Sequence, residues 1–246
     1  MIPPPVIAAL RGARHVVALT GSGISAESGI PTFREAQTGI WAQFRPEELA
    51  TPEAFAAAPA RVWEWYAWRR TLVQAAAPNA GHFALVRLET LAPRFTLVTQ
   101  NVDGLHARAG STAVLELHGN ILRTVCSKDR QVVESWTEPA QPPPRCPACD
   151  MFLRPDVVWF GEMLPMRQLE AAMAAAAACD VFIAVGTSGL VYPAAGLPLV
   201  ALDNGATVIV VNPDETPLTS HPTVHHLRGA AAAVLPALAD ALTATR

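Results

Sequence analysis

Gly21, Ser22 and Gly23 follow the apolar run His15-Val16-Val17-Ala18-Leu19-Thr20 directly, and a glycine turn leaving a strand can set bare backbone N–H groups against a pyrophosphate. The spacing departs from the ordinary dinucleotide fingerprint, because Gly29 falls six residues after Gly23 and the loop meets Pro31 instead of entering a long helix. A second pair of reactive types is Tyr66 and Arg69, three apart, which on a helix share a face and reach one ligand together. A guanidinium suits bidentate recognition of a carboxylate, and the competing reading is an aromatic helix that packs its tryptophans inward and leaves Arg69 in solvent. Three of the four cysteines, Cys126, Cys146 and Cys149, crowd into one short stretch rather than spreading into a disulfide framework, which points to a reducing compartment and a metal site. Cys179, just ahead of an apolar run, reads as a small buried hydrophobe.

These groups need a scaffold, and 246 residues with 51% hydrophobic content are enough for one large core with a smaller module attached. Strand candidates are Val16–Leu19, Phe95–Thr99, Val114–Leu117, Val157–Phe160, Val181–Val185 and Thr207–Val211. They alternate with the helical patterns Gly81–Leu91, Arg167–Cys179 and Gly229–Leu242, so an α/β fold with a doubly wound parallel sheet is expected. Two intervals break the alternation: residues 36–77 read as wholly helical, and 121–155 are proline-rich and carry the cysteines. They are expected to form a small lobe on a core of 1–35, 78–120 and 156–246. With 18 Lys and Arg against 21 Asp and Glu, the net charge of −3 lacks the basic footprint of a nucleic-acid binder. No apolar run is long enough to cross a bilayer and the N-terminus lacks the features of a secretory signal, so a cytoplasmic protein with no membrane or direct nucleic-acid partner is expected.

Five separated motifs, Gly21–Arg34, Thr99–His106, Leu117–Asn120, Val185–Ser188 with Pro193–Ala195, and Val211–Pro213, stand in an order and at separations that resemble the sirtuin family of NAD-dependent protein deacylases over essentially the whole chain. The resemblance implies a Rossmann-like core with a helical and cysteine-bearing, zinc-type lobe. It also implies NAD as cofactor, with phosphates met by the amides around Gly21, Ser22 and Gly23, the Thr187 and Ser188 hydroxyls, and Arg34. In the family's pattern Asp103 accepts the nicotinamide carboxamide N–H and Phe33 lids the emptied pocket. Gln100 and Asn101 hold the nicotinamide ribose and its ordered water, and Asn212 holds the adenosine ribose. The implied cofactor-facing set further takes in Ile24, Ala26, Glu27, Val102, Gly186, Pro213, Asp214 and Ala230. His118 is the implied general base, with Asn101 beside it as the second catalytic residue, and imidazole suits the task because it takes and returns a proton near neutral pH. The acyl oxygen of an acyl-lysine would attack the anomeric carbon as nicotinamide leaves, while His118 accepts a proton from a ribose hydroxyl. The other histidines, His15, His82, His106 and the group His221, His225 and His226 in a Pro-bearing loop, read as structural or solvated.

The spacing of Tyr66 and Arg69 matches the Tyr-x-x-Arg pair of the sirtuin branch that removes succinyl and malonyl groups, which implies acyl-lysine proteins or peptides with a distal carboxylate as substrates; a general deacetylase is the alternative. Arg154–Glu162 resembles the segment that pairs with the substrate backbone as an added strand, with Val158, Trp159 and Phe160 on the substrate and Trp159 either lining the acyl tunnel or filling the core. Two positions leave the family pattern. Ser22 stands where the family usually has alanine, and the first of two Cys-x-x-Cys pairs reads Cys126-Ser127-Lys128-Asp129. A zinc site of Cys126, Cys146, Cys149 and Asp129 is chemically allowed, and so is an empty one. An ADP-ribosyl transferase or NAD hydrolase would use the same pocket, whereas the loop spacing fits a hydride-transferring dehydrogenase poorly. The oligomeric state is open, with a monomer favoured.

Overall fold

The computed structural model describes residues 2–31, 46–137 and 139–244. Its main sheet has six parallel strands: β1 (His15–Thr20), β2 (Arg94–Thr99), β3 (Val114–Glu116), β6 (Val181–Val185), β7 (Thr207–Asn212) and β8 (His225–Arg228), in the order β3-β2-β1-β6-β7-β8. Every residue of β1 and β6 is buried, as a parallel strand covered on both faces requires. The order reverses between β1 and β6, and in doubly wound sheets ligands bind at the carboxyl ends of the strands at such a point.

The two covering layers follow from the two-residue period of a strand. Val16 and Ala18 face α1 (Pro4–Gly12), α5 (Ala80–Leu91) and α9 (Ala231–Thr243), where Val6, Leu85 and Leu235 close one core. Val17 and Leu19 face the other way, onto the small residues Ala172, Ala176 and Ala201 of α7 (Met166–Ala178) and α8 (Leu197–Asp203). The alanine-rich runs of the sequence are thus the faces that let helices sit close to the sheet.

A smaller lobe joins α2 (Pro46–Leu49), α3 (Pro52–Ala57) and α4 (Pro59–Ala75) to an antiparallel pair, β4 (Gly119–Cys126) and β5 (Leu153–Val157). Its core is aromatic, with Phe55, Trp65, Tyr66 and Trp159 around Ile121 and Val157. Burying Trp65 and Tyr66 contributes on the order of 2 kcal/mol each. Among the described residues no helix is long and apolar enough to cross a membrane.

Two sequence expectations are corrected. The strand expected at Val157–Phe160 ends at Val157 and begins at Leu153, and it belongs to the small antiparallel pair. Its Arg154, Pro155 and Asp156 disguise it, although a two-stranded pair tolerates a proline, which has no N–H to donate, where no ladder bond needs that donor. His225 and His226, expected in a loop, lie in β8; at the sheet edge a strand needs no apolar run, and polar side chains discourage further pairing there.

Candidate active site

Sheet register brings the motifs together. Thr20 lies across from Thr99 on one side and Val185 on the other, Val185 from Val211, and Thr99 from Glu116. The chain therefore leaves each strand at one level, and Gly21, Gln100, Gly186, Asn212 and the Leu117-His118 step start side by side. Two short 3-10 turns, Ser22–Ile24 and Ala26–Ser28, carry the glycine loop away from β1. Gly186 has φ +57°, and a Cβ there would stand 2.6 Å from the Ile24 nitrogen; one on Gly21 would stand 2.8 Å from the Gly186 oxygen. These glycines let the two loops touch at the switch point.

The touching has a cost for the expected phosphate donors. The Gly21 amide donates to Val185 O at 3.0 Å and the Gly23 amide to Gly186 O at 2.9 Å, so both are spent on joining the loop to the end of β6. Ser22, exposed between them, keeps both its side chain and its place at the cleft. Thr187 and Ser188 follow Gly186. Thr187 Oγ1 accepts from Gln100 Nε2 at 3.1 Å, and its carbonyl accepts from Asn212 Nδ2 at 3.0 Å. The cleft floor is therefore stitched across β2, β6 and β7, with Pro213 and Asp214 exposed beyond it. Glu27 accepts from the Ala232 amide at 2.9 Å and so caps α9, whose N-cap residue is Ala230; Ile24 is buried below the loop and Ala26 is exposed above it. Phe33 and Arg34 lie outside the described residues.

A second network surrounds Asp103. Its Oδ2 accepts from Ser25 Oγ at 2.7 Å and its Oδ1 from the Leu105 amide at 2.9 Å, at the start of α6 (Leu105–Ala109). Burial pushes the Asp103 carboxyl up, and these two donors pull against it. Asn101 Nδ2 donates to both Gly21 O and Ser25 Oγ, each at 3.1 Å, so Ser25 joins the two. Beneath lies a buried chain in which Thr20 Oγ1 donates to Thr99 Oγ1 at 2.8 Å and contacts His106 Nε2 at 2.8 Å. Burial holds His106 at about 3 and its ring neighbour His82 at about 4, so both are neutral props.

His118 follows Leu117, and its Nδ1 lies 2.9 Å from the Gln100 carbonyl. A carbonyl only accepts, so Nδ1 carries the proton and Nε2 presents a lone pair. Burial lowers the His118 pKa, with the Gln100 hydrogen bond opposing it, and the ring is neutral at pH 7. The arrangement is that of an oriented base at the end of a cleft.

On its far side stand the residues expected to read the acyl group. The Val158 amide donates to His118 O at 2.9 Å, which sets the 158–160 segment against the base, and the Phe160 amide reaches Ala50 O. Val158 is half-buried, Phe160 exposed, and Trp159 fills the core between α3 and α4. Tyr66 and Arg69 share a face of α4. Arg69 stacks over Trp65, 4.9 Å from the ring centroid, and lies 5.9 Å from the Tyr66 ring. Val102, next to Asp103, packs against the same aromatic cluster, so the acyl side and the Asp103 network adjoin.

Away from the cleft, the sulfurs of Cys126, Cys146 and Cys149 lie within 4.8 Å of one another, with Cys126 Sγ and Cys149 Sγ 3.5 Å apart. The Lys128 amide points at Cys126 Sγ at 3.5 Å, and Ala148 and Cys149 amides serve Cys146, a donor pattern suited to metal-bound thiolates. Asp129 is not with them. Its carboxylate is exposed and accepts from the Gln131 amide at 3.0 Å, because the short turn closes on itself. Three sulfur donors are thus gathered where they could hold a metal ion.

Sequence reasoning missed Ser25 and the Arg154–Glu162 pair. Glu162 Oε2 accepts from the Trp159 amide at 2.8 Å, and Arg154 holds both Glu162 oxygens at 2.6 and 2.9 Å, which fixes the 158–160 segment. Ser25 had one signal, a small polar residue between Ile24 and Ala26 in a loop otherwise explained by its glycines.

Comparison with known proteins agrees with this geometry. The Sir2 family model matches residues 21–193. The NAD-dependent protein deacylase of Aquifex aeolicus is 55% identical over 212 residues, covering 86% of this chain and 88% of that protein. The Methylococcus capsulatus protein of the same name is 49% identical over 249 residues, covering 98% and 97%. The structure of a Sir2 homolog–NAD complex superposes with a TM-score of 0.91 at 46% identity, covering 99% of this chain and 94% of the other. A Sir2 structure bound to acetylated peptide gives 0.84 at 29% identity, covering 98% of each chain. With the matched motifs gathered at one end of one sheet, the chain belongs to the Sir2 family.

Proposed function

We propose that this chain is an NAD-dependent protein-lysine deacylase that acts preferentially on succinyl- and malonyl-lysine. The observation that carries the deacylase reading is the orientation of His118, with Nδ1 on the Gln100 carbonyl and the Nε2 lone pair left to act, beside the joined Asn101, Ser25 and Asp103. NAD, when bound, supplies an electrophilic anomeric carbon and nicotinamide as leaving group. Nε2 of His118 takes a proton from a ribose hydroxyl and later returns it, a role its neutral form at pH 7 permits. Asp103 and Asn101 hold their polar groups fixed through Ser25, so a carboxamide and a ribose meet preset partners rather than mobile ones. Ser22, Thr187 and Ser188 are the phosphate-side groups, with Phe33 and Arg34 as a lid and an anion contact, and Asn212 is the partner of the second ribose. The product side is free lysine, nicotinamide and an acylated ADP-ribose.

The acyl preference rests on Tyr66 and Arg69, a phenol and a guanidinium on one helix face adjoining the Asp103 network. A distal carboxylate would take a charge-assisted contact from Arg69 that an acetyl group cannot use. Val158, Trp159 and Phe160 form the substrate segment, and the three thiolates hold a structural zinc ion that ties β4 to the 146–149 turn. Residues 36–77 and 121–155 are read as a small lobe on a core of 1–35, 78–120 and 156–246, limits that β4 and β5 straddle.

A panel of acetyl-, malonyl- and succinyl-lysine peptides with NAD, read for free nicotinamide and for deacylated peptide, tests both parts. Desuccinylation exceeds deacetylation in kcat/KM, and Arg69→Met reverses the order. Equal loss on both substrates removes the carboxylate-reading role, and nicotinamide release without acyl-peptide points instead to NAD hydrolysis.

A further inference from the structure

Trp159 Nε1 donates to the Tyr66 hydroxyl oxygen at 3.0 Å, and both side chains are buried. An indole nitrogen is only ever a donor, so the phenol oxygen is the acceptor in this pair and its own proton must point elsewhere. Among the described residues none accepts that proton. The indole cannot turn away, because the Arg154 guanidinium lies 3.3 Å from its ring centroid and the Phe55 ring 5.2 Å from it. Its backbone amide is tied to Glu162, which Arg154 grips with two hydrogen bonds. The phenol is equally confined, with the Trp65 ring 4.7 Å away at 72°.

From this arrangement we infer that Trp159 is a positioning residue for acyl selectivity: its indole N–H occupies the Tyr66 oxygen and turns the phenol O–H outward as a donor for a distal carboxylate on the acyl chain. The inference rests on the carboxylate-reading role of Tyr66 and Arg69. A buried phenol donor without an acceptor is costly, and a carboxylate satisfies it whereas an acetyl methyl does not. Trp159 therefore favours acidic acyl groups without touching them. Burial pushes the Tyr66 pKa up to about 12 against the lowering pull of Arg69 and of the indole N–H, so the proton stays on Tyr66 as a donor across the working range.

Trp159→Phe keeps an aromatic ring for Arg154 and Phe55 and removes the donor together with part of the ring volume, a packing loss common to both substrates. The kcat/KM ratio of succinyl- over acetyl-lysine peptide falls about tenfold in this variant, the size expected for misorienting one hydrogen bond to a charged group. An unchanged ratio, with any common loss on both substrates, overturns the inference. A second measurement does not depend on that variant folding. In 15N–1H spectra the Trp159 indole signal, identified by its shift in Tyr66→Phe, moves on binding succinyl-lysine peptide and stays nearly still on acetyl-lysine peptide. Equal responses to the two peptides overturn the inference as well. Arg69→Met separates the two layers. If it collapses the ratio while Trp159→Phe does not, only the role of Trp159 fails; if it leaves the ratio intact, the carboxylate reading itself fails.

Discussion

The cofactor side of the cleft hangs on strand ends that sheet register brings to one level, whereas the acyl side hangs on one helix, α4, and a segment beyond the end of β5. On the first side polar groups are answered by backbone or by a neighbouring motif: Gly21 and Gly23 by β6, Asn101 by the loop, His118 by Gln100. On the second, aromatic faces, one indole N–H and the Arg154–Glu162 pair do the positioning. A substitution on the cofactor side breaks several partners at once, while the acyl side can be re-read one side chain at a time. Chemistry and selectivity are therefore separable in this molecule, and the following outcomes test that separation.

The largest effect is expected at the base. His118→Gln lowers kcat by on the order of 10²–10⁴ on acetyl and succinyl peptides alike, since general-base assistance is lost whatever the acyl group. Peptide affinity, measured by calorimetry, changes little because the acyl side is intact. The wild-type pH profile follows from the same residue. Burial lowers the His118 pKa below 6.5, and the neutral ring is the active form, so kcat/KM rises with pH through a limb centred below 6.5 and is level at neutrality. A limb centred above 6.5, or one that moves with the acyl group, breaks the separation.

A smaller effect is expected at Ser25. Ser25→Ala removes the donor to Asp103 Oδ2 and one acceptor of Asn101 in a buried setting, a loss of about 1–3 kcal/mol, or roughly fivefold to 150-fold in kcat/KM. The loss falls equally on both peptides. A changed succinyl-to-acetyl ratio in this variant would show that the Asp103 network, which Val102 links to the aromatic cluster, also reports on the acyl group.

The same division explains what the sequence discloses. Motifs at strand ends are legible because the strands themselves are: β1, β6 and β7 are uninterrupted apolar runs, and whatever follows them must emerge at the carboxyl edge. Ser25 is not legible, since its importance lies in two contacts, with Asp103 and Asn101, made by residues 78 and 76 positions away. Nor are β5 and the 158–160 segment. Their alternation is broken by Arg154 and Asp156, whose side chains serve Glu162 and the Arg123 and Arg130 ion pairs rather than a core. The apolar run Val157–Phe160 looks like a strand because all four residues are apolar, but only Val157 and Trp159 pack inward, and beyond Val157 the Val158 and Phe160 amides go to His118 and Ala50 instead of a ladder.

The smallest effect is expected at Asp129, and it is informative for being small. The position is where a fourth thiol would stand, yet the carboxylate is exposed and bound to the Gln131 amide, outside the cluster of three sulfurs. A tetrahedral site can take three protein ligands and leave the fourth to water. Asp129→Ala therefore leaves the zinc content of protein purified without chelator unchanged, while Cys149→Ser removes most of it and lowers Tm, because a structural metal contributes folding free energy. Neither change alters the succinyl-to-acetyl ratio, since the cysteines pack with Trp63 and Leu153 in a cluster separate from the aromatic cluster of Tyr66. Loss of zinc in Asp129→Ala equal to that in Cys149→Ser would mean that the carboxylate abandons Gln131 and swings onto the metal. The turn at Lys128–Arg130 would then be ordered by the ion rather than by its own backbone.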